Sequence, residues 1–223
     1  MSKEVSSEAL AALFLRSEEL QTHIDTLRAT IVVPTKHRNV LTQLMAEVSL
    51  EHWQGQRLLL RQGMHLTGFA LVRMQFETVV RAIWIQACAD DAWLTSFVSP
   101  QQIDQLAEPA ASPQVDVMLS AMERTGPAHM ATMLRQLKTA AWKPMHSYVH
   151  GGIRPINQAL AGVTNYQVSA VLRNANGLAL MATNAMTVAA EDPVFRGALG
   201  RLQQKFLDSL PPLNPGPPTP TTA

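Results

Sequence analysis

The sequence has a single cysteine, Cys88, so no internal disulfide can brace the fold, and packing must hold it together. The catalytic signatures of several large enzyme classes are missing too. There is no glycine-rich phosphate loop of the Walker type, no G-x-G-x-x-G turn, no G-x-S-x-G elbow and no paired C-x-x-C, which excludes the common nucleotide-binding and hydrolase machineries. Net charge is nearly absent as well. Eighteen Lys and Arg stand against seventeen Asp and Glu, so no general field gathers nucleic acid or anionic lipid around the chain. The longest apolar stretches are broken by Arg73, Glu77 and Arg81 in one case and by Arg173, Asn174 and Asn176 in the other. Neither provides the roughly 20 consecutive apolar residues of a membrane span. Met1-Ser2-Lys3-Glu4 lacks the basic start and apolar run of a secretory signal, and the cytoplasm is the expected location.

Aromatic residues, at 5%, are scarce, whereas Ala, Leu, Met and Gln are frequent, a bias toward straight-chain helix formers. With 47% apolar residues in 223, the chain can fill a sizeable core. The expected architecture is an all-α, up-and-down helical bundle forming a single domain over 1–210, with additional short helices between Ala89 and Lys138. Two stacked helical subdomains are the alternative. Helices are predicted over 8–29, 35–62, 64–89, 127–137, 139–149, 166–190 and 193–210, with Ser112-Pro113 starting a further one. The tail 211–223 holds six prolines among thirteen residues and is expected to be disordered, an inert terminus without a basic anchor beside Pro217-Pro218-Thr219-Pro220.

Two segments carry chemistry. Arg73, Glu77 and Arg81 recur every four residues in an otherwise apolar helix, so they form one stripe in which Glu77 reaches either arginine. A helix that is apolar nearly all round sits centrally in its domain. Its charges are then partly buried and must be paired. Two arginines around one glutamate leave one positive charge over, to be met by another carboxylate or by an anionic ligand gripped by the guanidinium fork. The second segment is Trp142-Lys-Pro-Met-His146-Ser-Tyr-Val-His150-Gly151-Gly152. In a helix, His146 and His150 share a face, and the two glycines end it. Two histidines at this spacing can chelate zinc, but no nearby Cys, Asp or Glu completes a set, so neither metal nor cofactor is expected. A neutral imidazole is also a suitable acid or base near pH 7. Cys88, in an apolar run, reads as a buried inert thiol.

Together, Arg73-x-x-x-Glu77-x-x-x-Arg81-x-x-Trp84 and His146-Ser-Tyr-Val-His150-Gly151-Gly152 resemble a group of uncharacterised bacterial helical proteins over about Val40 to Ala190, a family that carries only a domain-of-unknown-function label. The resemblance implies an Arg/Glu-bearing central helix and a Ser/Thr-x-x-His-Gly segment, matched here by Ser147, His150 and Gly151. The pattern is more distantly similar to the HEPN class of helical bundles, many of which are metal-independent ribonucleases of bacterial conflict systems that use an arginine and a histidine a few residues apart. This chain departs from that signature. Its one forward match, Arg124 to His129, spans the helix-breaking Gly126-Pro127.

Three functions follow from these residues. In the first, Arg73, Glu77, Arg81, His146 and His150 are a buried polar network in a protein with an accessory or interaction role. In the second they serve a HEPN-like ribonuclease or other phosphate-handling enzyme, and in the third they bind a small anionic ligand. The first requires burial without access; the others require the histidines and arginines to converge where a ligand can reach them. Expected partners are a second copy of the chain, as a homodimer, and RNA or a small anion.

Overall fold

A computed structural model of the chain describes residues 4–32, 34–97 and 113–212. Among these it has nine α-helices: α1 (Ser7–Thr30), α2 (His37–Arg61), α3 (His65–Ala87), α4 (Asp91–Phe97), α5 (Val115–Thr125), α6 (Ala128–Val149), α7 (Ile153–Ala161), α8 (Asn165–Ala189) and α9 (Pro193–Lys205), followed by a 3-10 turn at Leu207–Ser209. The described residues contain no strand, and the fold is all-α. No helix among them is long and apolar enough to cross a membrane.

The long helices start where the local chemistry dictates. Ser6 caps α1 by accepting from the Ala9 amide, Thr164 and Gln167 form a reciprocal capping box on α8, and Asp192 caps α9 just ahead of Pro193. Gly63, with φ of +76°, ends α2 in the left-handed conformation and turns the chain into α3.

Helix α3 is central, as its all-round apolarity requires. It packs antiparallel to α2 on one side and to α6 on another, with α8 and α5 completing its surroundings. Phe76, Val79, Val80, Ala82 and Ile85 are fully buried there. One hydrophobic cluster runs without interruption from Leu20 of α1 through α2, α3, α5, α6 and α8 to Phe206. A smaller cluster around Phe14, Phe69 and Leu172 closes the end nearer α7.

A polar seam runs through this core. The Trp53 indole donates to Asn176 Oδ1 at 2.9 Å, and Asn176 Nδ2 donates to Ser17 Oγ and to the Ser209 carbonyl, both at 2.9 Å. Beside it, Gln56 donates to Gln75 at 2.8 Å, and Gln75 to the Ala175 carbonyl at 2.9 Å. Buried polar groups must find partners of this kind. The seam thereby ties α1, α2, α3, α8 and the C-terminal turn into one register.

Five expectations are corrected. The helices predicted over 127–137 and 139–149 are one continuous α6, since nothing at Lys138 interrupts the backbone ladder. Pro144 lies inside it, where it has no amide to donate to the Ala140 carbonyl. The helix expected to start at Pro113 begins at Val115, and the last helix stops at Lys205 before the 3-10 turn. Helix α7 lies where the two glycines suggested only a stop. Cys88 is half-buried, with its thiol 3.5 Å from Thr125 Oγ1, and is not sealed in the core. Ser112 and the tail from 213 onward lie outside the described residues.

Candidate functional site

The site forms where α3 crosses α6. Both helices present residues at four-residue intervals to the crossing: Arg73 and Glu77 from α3, and Lys138, Trp142, His146 and His150 along α6 to its end. Arg73 is the hub. Its Nε donates to Glu77 Oε1 at 2.6 Å, and its Nη1 lies 2.8 Å from His146 Nδ1 and 3.2 Å from His150 Nε2. The two imidazoles stack obliquely, with ring centroids 4.3 Å apart. Beneath them Trp142 takes the Arg73 guanidinium over its ring at 4.7 Å and the Lys138 ammonium at 4.6 Å, while Phe76 meets it edge-on.

Access distinguishes this cluster from a core network. The Arg73 and Glu77 side chains are 20% and 31% exposed, and both histidines are exposed. Arg73 Nη2 has no acceptor among the described residues, and it is not sealed from solvent.

The proton inventory follows from the donors. A guanidinium only donates, so His146 Nδ1 and His150 Nε2 must both offer lone pairs to it. An imidazole that accepts at that nitrogen carries its proton on the other one, Nε2 in His146 and Nδ1 in His150. With Arg73 Nη2, the cluster has three kinds of N–H donor that the Arg73 contacts do not use. Such a set matches an oxyanion.

The His-Gly segment owes its shape to the helix end. Gly151 sits at φ +63°, and the Gly152 amide returns to the Ser147 carbonyl at 2.8 Å, the paired features of a Schellman turn. A Cβ on Gly152 would stand 2.6 Å from Ser147 Oγ. That hydroxyl is already engaged, accepting from the Arg154 amide at 3.1 Å and so holding the start of α7. Ser147 is therefore a structural residue. Tyr148, packed edge-on against Phe69, donates its hydroxyl to Gln158 of α7; burial pushes its pKa up, so the phenol remains a donor.

Four of the five residues singled out from the sequence, Arg73, Glu77, His146 and His150, are thus in contact. Arg81 is not with them. Glu77 pairs with Arg73 alone, and Arg81 Nε is buried without an acceptor among the described residues. Trp142 and Lys138 were not singled out, though both fall on the same four-residue rhythm as the histidines. Between Glu123 and Glu191 the chain has no Asp or Glu, so α6, α7 and α8 carry no carboxylate of their own, and Lys138 is paired with Asp116 of α5 at 2.9 Å. Among the described residues no group of three His, Cys, Asp or Glu could hold a metal ion.

No curated protein and no solved structure matches the chain. A family model matches residues 46–212, three quarters of the chain, with α3, α6 and every residue of the Arg73 cluster inside it and α1 outside. The chain therefore belongs to a family of unknown function, DUF6988.

Proposed function

We propose that the Arg73 cluster handles phosphate, and that its substrate is an RNA phosphodiester cleaved by acid–base chemistry, as in a HEPN-like ribonuclease of a bacterial conflict system. One observation carries this reading: two exposed imidazoles converge on one guanidinium nitrogen, His146 Nδ1 at 2.8 Å and His150 Nε2 at 3.2 Å from Arg73 Nη1. An incoming phosphate competes for Arg73 through the open Nη2. As the guanidinium moves onto the phosphate, one imidazole regains its lone pair. That ring takes the proton of the 2′-hydroxyl, and the 2′-oxygen attacks phosphorus. The imidazolium so formed gives that proton to the departing 5′-oxygen and returns to neutral, leaving a cyclic phosphate, while the N–H of the second ring donates to a phosphate oxygen. One proton is taken and one returned, and Glu77 holds Arg73 in place through Nε.

A second reading is favoured by a different fact: Nε and Nη1 of Arg73 are both occupied within the chain. The cluster would then be a lock between α3 and α6 in a protein with an accessory or interaction role. A binding site for a small anion is the same donor set without the turnover.

Cleavage of single-stranded RNA by the wild type and by His150→Ala separates these. The proposal expects the variant to lose about 10²- to 10⁴-fold in rate. Because His150 is exposed, its melting temperature should stay within about 2 °C. An inactive wild type together with a clear fall in melting temperature for the variant would establish the lock instead.

A further inference from the structure

Helix α7 is built inside out. Its inner side is polar: Pro155 and Gln158 are its half-buried residues next to α6, and Gln158 accepts from Tyr148. Its outer side is aliphatic. Ile153, Ile156 and Leu160 share one face at helical spacing and are 64%, 53% and 84% exposed, with Tyr166 nearby at 45%. None of the nine residues is buried. A helix this short has little stability of its own, and nothing in the described chain covers its aliphatic face.

We infer that α7 is the contact through which two copies of the chain pair about a two-fold axis. The four side chains expose roughly 500 Å² per copy, so a symmetric pair that covers them fully removes on the order of 1,000 Å² from water, the size a specific interface has to clear. The spacing is self-complementary. Antiparallel α7 helices with the axis beside Ile156 set Ile153 against the partner's Leu160 and Leu160 against the partner's Ile153. Asn157, Ala159 and Ala161, all exposed, flank the stripe with small side chains. Arg154, the helix's one charged residue, lies off the aliphatic stripe, so no like charges are buried at the centre. The pairing does not depend on the phosphate reading.

Sedimentation equilibrium of the full chain tests it. At tens of micromolar the wild type is expected at twice the 24.4 kDa chain mass. Ile156→Asp/Leu160→Asp is expected at the single-chain mass with an unchanged helical circular dichroism spectrum. Leu44→Asp, on the exposed outer face of α2, is expected to remain dimeric and shows that one added charge elsewhere is tolerated. A monomeric wild type overturns the inference, as does a dimer that survives the double substitution. A monomeric wild type that co-sediments with phosphatidylglycerol vesicles overturns it as well and assigns the stripe to a lipid surface. RNA cleavage by the monomeric double variant would leave the phosphate reading standing whatever the sedimentation result.

Discussion

Asn176→Leu should lower the stability of the fold by about 3–5 kcal/mol, although leucine keeps the branching and heavy-atom count of the asparagine side chain. The loss comes from the partners left behind. Asn176 is fully buried, accepts from the Trp53 indole and donates to Ser17 Oγ and the Ser209 carbonyl. Leucine leaves the indole N–H and the carbonyl unpaired in the core, and each orphan costs about 1–3 kcal/mol, more than the hydrogen bond itself contributes in exchange with water. Ser17 suffers less, because its hydroxyl still donates to the Leu13 carbonyl at 2.9 Å. For a chain of this length the fall in melting temperature should be roughly 6–20 °C, read by thermal unfolding. Adding Trp53→Phe removes one of the two orphans together with its donor. The double variant should therefore be less unstable than the sum of the two single changes, the sign of a direct coupling. Additive losses would mean that the seam is not the network described.

Arg73→Lys is expected to reduce RNA cleavage by about 10²- to 10³-fold while leaving the fold intact. Charge is kept, but geometry is not. The guanidinium reaches Glu77 with Nε, both imidazoles with Nη1, and keeps Nη2 open, which a single ammonium at the end of a flexible stem cannot reproduce. Stability should change little, because the Arg73–Glu77 pair is partly exposed and such pairs contribute only about 0.3–0.5 kcal/mol. Steady-state cleavage and a melting curve on the same preparation check both halves. An unaltered rate would remove Arg73 from the chemistry. A large fall in melting temperature would support the lock between α3 and α6.

Much of this was readable from local pattern. Apolar spacing found α1, α2, α3 and α8, and the four-residue intervals put Arg73 beside Glu77 and His146 beside His150. What the pattern could not supply was the crossing of α3 over α6, since Arg73 and His146 are 73 positions apart and only tertiary packing joins them. Arg81 failed for a reason of helical geometry. Eight residues are 2.2 turns, so Arg81 is rotated by about 80° from Arg73, and a stripe that seems straight in sequence has drifted off the crossing. Gly151-Gly152 is a stop signal for α6, while Ile153, Ile156 and Leu160 directly after it keep the helical period of α7. Lys138 and Trp142 continue the rhythm of the histidines toward the N-terminus of α6, a signal present in the sequence and overlooked.

The most direct measurement of the central claim is the protonation pattern of His146 and His150, read by long-range 15N–1H correlation of the imidazoles with and without a non-cleavable RNA oligonucleotide. The account predicts two neutral rings, His146 protonated at Nε2 and His150 at Nδ1, with both sets of resonances shifting as the oligonucleotide displaces Arg73. The opposite tautomers, or ring signals that do not move when RNA is added, would contradict it.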